Sequence, residues 1–155
     1  MSKKNTEKKN LVTNKKAYHN YHILEEYEAG IVLSGYEVKS LRLHNASMVD
    51  SLVRFNNGEA FLENVYIAPY TQISTHIQDY QAKKLRKLLL HKQEIVKIFS
   101  KSKEKGLTVV PLEIYVSKYG KIKVLIGLAK GKTTYDKRED LKKKDIKREM
   151  EREGF

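Results

Sequence analysis

The chain contains no cysteine and no tryptophan, and only two of its 155 residues are proline. Without cysteine there is no disulfide, no cysteine-ligated zinc and no thiol nucleophile, and this composition fits a reducing compartment. The opening residues are polar and lack the apolar run of a signal peptide. The longest nearly apolar stretches, such as 124–129, are far too short to span a bilayer. These absences predict a cytoplasmic protein without a membrane segment.

Positive charge, in contrast, is present in excess. The chain carries 31 Lys and Arg against 19 Asp and Glu, with a formal net charge of +12 and a pI of about 9.7. Such an excess favours a polyanionic partner through Coulomb attraction and counterion release, and an anionic membrane surface would attract it as well. Basic charge can also simply keep a protein soluble. The high pI favours nucleic acid without choosing between DNA and RNA.

The apolar pattern divides the chain into three parts. Residues 1–17 are polar and rich in lysine, which predicts a flexible basic arm. Residues 18–130 carry nearly all of the apolar pattern and form the predicted body, because a hydrophobic fraction of 40% is enough for one modest core. Residues 131–155 are dominated by charge. They form a tail that cannot build a core of its own.

The body alternates in several places with the period of a β-strand. Segments 108–118 and 121–130 flank Tyr119-Gly120, where glycine supplies the positive φ of a tight hairpin turn. The residues expected to share a face are Val110, Leu112, Ile114 and Val116 in the first segment, and Ile122, Val124, Ile126 and Leu128 in the second. A second hairpin is predicted at Asn57-Gly58.

Further strands are predicted at 21–33 and 86–90, and the first contains Gly30, where a bend or bulge would be tolerated. Helical spacing predicts helices at 34–44 and 91–105. Many short strands with two helices favour a mainly β fold, a small closed antiparallel β-barrel of the oligonucleotide-binding (OB-like) kind. Flanking α-helices and disordered N- and C-terminal ends complete the predicted architecture.

Catalytic and metal-binding patterns are weak. His19 and His22 are three residues apart, but no cysteine or third histidine stands nearby, so no metal site is expected. A hydrolase triad would need the residue types found in Ser74, His76 and Asp79. No glycine-framed nucleophile turn surrounds Ser74, so we expect no such triad.

A phosphate-binding loop is also weakly indicated. Gly131-Lys132-Thr133 resembles the end of such a loop, yet Ile126 occupies the position of its first glycine. We therefore expect no enzymatic activity and no cofactor.

Basic residues are interleaved with aromatic residues in two clusters. RNA recognition uses this mixture, because cations bind phosphates and flat rings stack on unstacked bases. A single tyrosine at a strand edge is ordinary packing, but the clusters together predict RNA contact. They comprise Lys15, Lys16, Tyr18, His19, Tyr21 and His22, and Tyr119, Lys121, Lys123, Lys130, Lys132, Tyr135, Lys137 and Arg138.

Several sequence blocks occur in the order of a known family. They include Asn14-Lys15-Lys16-Ala17, Glu28-Ala29-Gly30, Gly35-Tyr36-Glu37-Val38, Gly127-Leu128-Ala129-Lys130-Gly131-Lys132 and Tyr135-Asp136-Lys137-Arg138. In this order the chain resembles the SsrA-binding protein (small protein B) family over nearly its whole length. The resemblance implies an antiparallel barrel of about six strands with flanking helices. It also implies an RNA-binding adaptor that binds the tRNA-like domain of transfer-messenger RNA (SsrA RNA) and delivers it to stalled ribosomes for peptide tagging and rescue.

The resemblance also implies site residues and partners. The RNA-facing residues would be His19, Tyr21, Glu28 and Lys123, to which the second basic cluster adds Lys130. The tail would bind the decoding centre and messenger channel of the ribosome through Gly131, Lys132, Tyr135, Asp136, Lys137 and Arg138. Tyr135 stands where many members have histidine, which keeps a stacking ring and loses a titrating imidazole. Alanyl-tRNA synthetase and elongation factor Tu are implied as indirect partners through the RNA.

The tail has the spacing of a helix with an acidic, a basic and a thin apolar stripe. Isolated helices of this length are marginal in water, so we expect a tail that is disordered when free and helical on the ribosome. Ile146 and Met150 would pack there against ribosomal RNA or protein. The alternative is a solubilising tail that never orders.

Two other functions remain open from the residues alone. One is a general ribosomal or structural RNA-binding barrel protein. The other is an enzyme that acts on nucleotides or RNA, for which the weak motifs above give little support.

Overall fold

The computed structural model describes residues 8–70 and 80–152. The strands are β1 (Lys9–Thr13), β2 (Tyr21–Ile31), β3 (Ala46–Ser47), β4 (Leu52–Asn56), β5 (Glu59–Glu63), β6 (Tyr66–Ile67), β7 (Arg86–Leu89), β8 (Thr108–Val116) and β9 (Ile122–Gly131). The helices are α1 (Lys15–Asn20), α2 (Gly35–Arg42), α3 (Lys92–Glu104) and α4 (Thr134–Arg152). The predicted strands at 21–33 and 86–90 and the predicted helices at 34–44 and 91–105 are confirmed. Ser74, His76 and Asp79 lie outside the described residues.

A large antiparallel sheet dominates the fold. Its seven strands run in the order β1-β8-β9-β2-β7-β5-β4, and β3 and β6 form a separate two-stranded ribbon. The long strands β2, β8 and β9 lie side by side, so that β9 pairs along nearly its full length with both neighbours. The mainly β prediction with flanking helices is confirmed.

The predicted closure of the barrel is wrong for the described residues, because no hydrogen-bonded pair joins the two edge strands β1 and β4. β4 does lie against β8. The edge of β8 that faces away from β9 is already paired with β1, from Glu113 to Val116. Asn14 continues this pairing, with its backbone N–H donating to the Leu112 carbonyl and its amide Nδ2 donating to the Pro111 carbonyl, each at 2.8 Å. Few backbone N–H and C=O groups on this edge of β8 therefore remain unpaired for a ladder with β4.

The ends of the chain contain more structure than the sequence indicated. The described part of the predicted basic arm holds β1 and the start of α1, and Leu11 of β1 is buried in the main core. Within the charged tail, Thr134–Arg152 form the helix α4, and none of the residues of this helix is buried. Its predicted disorder in the free protein stays a prediction.

Both predicted hairpin turns are confirmed. Asn57 and Gly58 have φ values of 51° and 76° between β4 and β5, and Gly120 has a φ of 77° between β8 and β9. Two successive positive φ values match the right-handed twist of the strands, and Asn-Gly is the pair that tolerates them best. Gly30 is not at a bulge. A side chain there would place its Cβ 3.1 Å from the Cβ of Leu89, so glycine permits the close approach of β7.

Two bulges change which residues face the core. Leu24 is an extra residue in β2 opposite β9, and Leu112 is an extra residue in β8 opposite β9. Val110 and Leu112 therefore pack with Ala17 of α1, on the opposite side of the sheet from Ile114 in the main core. The prediction that Val110, Leu112, Ile114 and Val116 share a face is wrong, because proline at 111 has no N–H for the ladder and the strand slips by one residue. The shared face of Val124, Ile126 and Leu128 is confirmed, because all three lie in the main core.

A buried ion pair joins α2 to β7. Arg86 Nε lies 2.5 Å from Glu37 Oε2, and the side chains of both residues are 1% exposed. The Arg86 guanidinium also donates to the carbonyl oxygens of Val65 at 2.6 Å and Ala82 at 2.8 Å. Burial pushes the Glu37 pKa upward, but hydrogen bonds from Arg86 and Ser34 outweigh it and hold the pKa below its usual value.

Candidate nucleic-acid interface

One face of the three long strands is polar. Directly opposed residues in an antiparallel pair project to the same face. Glu28 is opposite Leu125, and Lys123 is opposite both Gly30 of β2 and Tyr115 of β8. Glu28, Lys123 and Tyr115 thus share one face, here called the outer face. The opposite face carries the main core, with Ala29, Ile114 and Val124.

A connected set of contacts lies on the outer face. The hydroxyl of Tyr115 donates a hydrogen bond to Glu28 Oε2. Lys8 Nζ lies 4.1 Å from the centroid of the Tyr115 ring and 2.8 Å from Glu113 Oε2. Burial, together with the neighbouring Glu28 carboxylate, raises the pKa of the Tyr115 hydroxyl, which therefore remains a donor at neutral pH.

Glu28 and Lys123 stand between two clefts. One, of about 620 Å³, extends toward the β8–β9 turn and is lined by Lys8, Tyr115, Lys118, Tyr119 and Lys121 in addition to both residues. The other, of about 780 Å³, extends toward β7 and α3. It includes Lys87, Leu89 and Lys92. Both clefts combine ammonium groups with apolar or aromatic surface, which is the composition that binds single-stranded nucleic acid.

The β8–β9 turn presents an exposed aromatic ring between cations. Tyr119 is 79% exposed, and Lys118 Nζ lies 5.0 Å from its ring centroid. A tyrosine ring that is mostly exposed at a lysine-rich turn is available to stack on a base. The sequence placed Tyr119 in a basic cluster, and the structure adds its exposure.

His19 and Tyr21 lie at the other end of the outer face. Odd-numbered residues of β9 share this face by alternation, and Tyr21 is opposite Gly131. Tyr21 and Glu28 are therefore on one face but about 20 Å apart along the strand, at about 3.3 Å per residue. Tyr21 lines a smaller cleft of about 240 Å³ with Lys16, Asn20 and Asp50. His19 is exposed on α1.

The base of the tail is attached to the body at this same end. The Lys132 backbone N–H donates to the Asn20 carbonyl at 2.8 Å, and its ammonium pairs with Asp140. His22 Nε2 lies 3.6 Å from Asp136 Oδ2. Asp136 also accepts from the Thr133 backbone N–H at 3.3 Å while Thr133 Oγ1 accepts from the Asp136 N–H, which starts α4 as a capping box.

The carboxyl groups at the tail base are held in their ionised form. Hydrogen bonds from Thr133 and then from His22 lower the pKa of Asp136. The Lys132 ammonium lowers the pKa of Asp140. Asp136 lies in the first turn of α4, where negative charge is favourable.

The remaining predicted tail residues do not contact the body strongly. Gly131 and Arg138 are exposed, Tyr135 is 70% exposed, and Lys137 is half-buried. Ile146 and Met150 are exposed on α4 at a spacing of four, so they lie on one side of the helix. Lys130 alternates onto the face opposite Glu28, next to His22.

The predicted RNA-binding residues thus fall into two groups. Glu28 and Lys123 meet at the clefts, while His19, Tyr21 and Lys130 lie near the tail base. Sequence analysis missed Tyr115 and Lys8, because Tyr115 stands within an apolar strand and outside the basic clusters, and because the arm was predicted to be flexible. A lysine and a tyrosine that lie more than a hundred residues apart give no local signal of their contact in the sequence.

Within residues 8–70 and 80–152, no group of three or more His, Asp or Glu side chains is arranged to hold a metal ion. No helix in those ranges has the length and apolar character needed to cross a membrane.

Comparisons with known proteins agree with one another. A family model described as SmpB protein matches residues 11–154. An SsrA-binding protein of Persephonella marina is 56% identical over 140 residues, which is 90% of this chain and 90% of the relative. An SsrA-binding protein of Bacillus velezensis is 54% identical over 142 residues, which is 92% of this chain and 89% of the relative.

A solved structure is similar as well. It is described as "tmRNA-SmpB: a journey to the center of the bacterial ribosome", and it superposes with a TM-score of 0.65 at 47% identity over 84% of this chain and 93% of the solved chain. The match of the family model over nearly the whole chain, together with relatives more than half identical, shows that this chain belongs to the SmpB protein family.

Proposed function

We propose that this chain is an RNA-binding adaptor, without catalytic activity, that binds the tRNA-like domain of transfer-messenger RNA and brings it to stalled ribosomes. The observation that carries the proposal is the identity of 56% over nine-tenths of the chain to a protein named for binding SsrA RNA. The lysine-lined clefts on the outer face supply the chemistry that such binding requires. Peptide tagging and release of the ribosome would follow from delivery of the RNA.

The two ends of the outer face support a division of labour. Ammonium groups of Lys121 and Lys123 would contact phosphates, and Tyr119 would stack on an unstacked base. The Glu28 carboxylate would accept hydrogen bonds from base N–H groups. The tail, from 131 onward, would enter the decoding centre and messenger channel of the ribosome, where Ile146 and Met150 would pack.

The remaining partners follow from the RNA. Alanyl-tRNA synthetase and elongation factor Tu would act on the same RNA and meet this chain only through it. A protein with these partners works in the cytoplasm.

A binding competition tests the proposal. Labelled transfer-messenger RNA is titrated with the protein at about 0.15 M ionic strength, where nonspecific charge attraction is partly screened. A large excess of unlabelled bulk tRNA or ribosomal RNA fragments serves as competitor. We expect the excess competitor to leave most of the complex intact. Equal competition by bulk RNA would refute the adaptor and favour a general RNA-binding protein of the ribosome.

A further inference from the structure

Tyr115 is a buried tyrosine whose hydroxyl points at an exposed carboxylate. Tyr115 as a whole is 4% exposed, yet its hydroxyl donates a hydrogen bond to Glu28 Oε2 at the edge of the two clefts. β9 lies between the two strands that carry these residues, so the tyrosine ring spans β9 above Lys123. A buried tyrosine hydroxyl requires a hydrogen-bond partner, and an exposed glutamate does not require one. The contact therefore satisfies the buried hydroxyl of Tyr115, and it also restricts the position of the Glu28 carboxylate.

Lys8 fixes the ring from the other side. Its ammonium lies over the Tyr115 ring at 4.1 Å and is itself held by Glu113 at 2.8 Å. Lys8 lies over the ring, Glu28 accepts from its hydroxyl and the residue is 4% exposed, so these neighbours hold the ring and its hydroxyl in position. Glu28 Oε2 is tied to that position, whereas within the described residues Oε1 accepts no hydrogen bond from the protein.

We propose that Tyr115 is a positioning residue for RNA recognition, which holds Glu28 so that Oε1 accepts a hydrogen bond from an amino or imino N–H of an unstacked base in the cleft beside Lys123. An unconstrained glutamate on a strand samples several rotamers and loses that freedom on binding. Tyr115 removes this loss in advance, and the fixed carboxylate faces the edge of a base instead of pairing with the neighbouring lysine. The inference rests on the proposed binding of transfer-messenger RNA and adds the residue that orients the carboxylate.

A double-mutant cycle tests the inference. The affinity for the tRNA-like domain is measured for the wild type, Tyr115→Phe, Glu28→Gln and the double variant. Tyr115→Phe keeps the ring and loses only the hydroxyl. We expect it to weaken binding about twofold to tenfold, which corresponds to one ordinary hydrogen bond. In the Glu28→Gln background the same change should have no further effect, because an amide whose oxygen accepts from Tyr115 presents N–H donors, and no acceptor, to the base.

A matched control is available on β2, the strand that carries Glu28. The hydroxyl of Tyr27 donates to Glu25, in a pair of the same chemistry, but the Tyr27 ring packs against the main core. Tyr27→Phe should leave RNA affinity unchanged. Urea unfolding of each variant separates loss of folding from loss of binding.

The outcomes are distinct. Wild-type affinity in Tyr115→Phe, or an equal loss with and without Glu28, would overturn the positioning role and leave the proposed function standing. Failure of the wild type to prefer transfer-messenger RNA over bulk tRNA would overturn the proposed function and, with it, this inference. Loss in Tyr115→Phe that disappears in Glu28→Gln supports it.

Discussion

Replacing Arg86 by methionine should destabilise the fold far more than any other single loss of a positive charge in the described chain. Methionine keeps most of the volume and removes the guanidinium. The change leaves the Glu37 carboxylate buried with Ser34 and with Lys84, whose ammonium is 3.4 Å away. It also leaves the buried carbonyl of Val65 without the Arg86 donor. Each of these groups gave up water on folding.

The magnitude follows from that loss. Removing one partner of a buried ion pair costs about 3–5 kcal/mol, because the other charge stays buried without compensation. Lys84 provides partial compensation, so we expect about 3 kcal/mol, the lower end of that range. With a urea slope of about 2 kcal/mol per M, the midpoint of unfolding should fall by about 1.5 M.

The loss should also depend on pH. The pKa of Glu37 lies below its unfolded value, so its contribution to stability is complete above about pH 4.3 and disappears as pH falls through the folded pKa. The difference in unfolding free energy between the wild type and Arg86→Met should therefore be largest at neutral pH. It should shrink in acid, because a protonated Glu37 no longer needs a cation.

Urea unfolding followed by far-UV circular dichroism, at pH 7 and at pH 4, measures both effects. Lys87→Met is the matched control, since Lys87 is the next residue of β7, is exposed and pairs only at 3.4 Å with exposed Glu59. Its loss should cost less than about 1 kcal/mol. Equal midpoints for Arg86→Met and Lys87→Met would refute the reasoning, as would a difference between wild type and Arg86→Met that does not change with pH.

Three further predictions concern function. RNA affinity should fall with salt at a log–log slope of about 0.7–0.9 per phosphate contact. Lys123→Met should lower the slope by the amount that one contact contributes, about 0.7–0.9, and an unchanged slope would show that Lys123 does not contact a phosphate. Truncation after Lys130 should leave RNA affinity nearly intact and abolish peptide tagging in a reconstituted translation of a message without a stop codon, and normal tagging by the truncated protein would contradict the division between body and tail. Ile146→Pro should reduce tagging almost as much, because proline costs about 3 kcal/mol inside a helix, whereas exposed Lys147→Ala should not; equal tagging by both variants would argue against a helical tail on the ribosome.

Much of the fold could be predicted from local signals. The Asn57-Gly58 and Tyr119-Gly120 turns need positive φ, and glycine identifies such positions in a sequence. The alternation of β9 is regular, so its core face was predicted correctly. Glu28 and Lys123 were identified through the family resemblance, and the structure brings them together at one pair of clefts.

The errors arise from details of strand pairing that a periodic pattern does not record. β1 is polar and forms a strand because β8 offers it an edge, and that pairing then prevents closure of the barrel. The bulge at Leu112 arises where Pro111 meets the β9 ladder, and it places Leu112 and Ile114 on opposite faces. The partner of β1 lies roughly a hundred residues away, and the bulge depends on a single proline, so neither leaves a periodic trace in the chain.

The position of β2 at the centre of the sheet has a consequence for synthesis of the protein. β2 is the first long strand to be made, and its main partner β9 is the last strand of the chain. Chains grow at about 5–20 residues per second, so roughly 100 intervening residues keep β2 waiting for about 5–20 seconds. During that time β2 can pair only with β7, through Gly30 and Ile31, so most of its length is unpaired and the nascent chain is open to proteases and to chaperones that hold unfolded strands. Depletion of such chaperones should lower the yield of this chain more than that of a protein of equal length whose strands pair with their immediate neighbours.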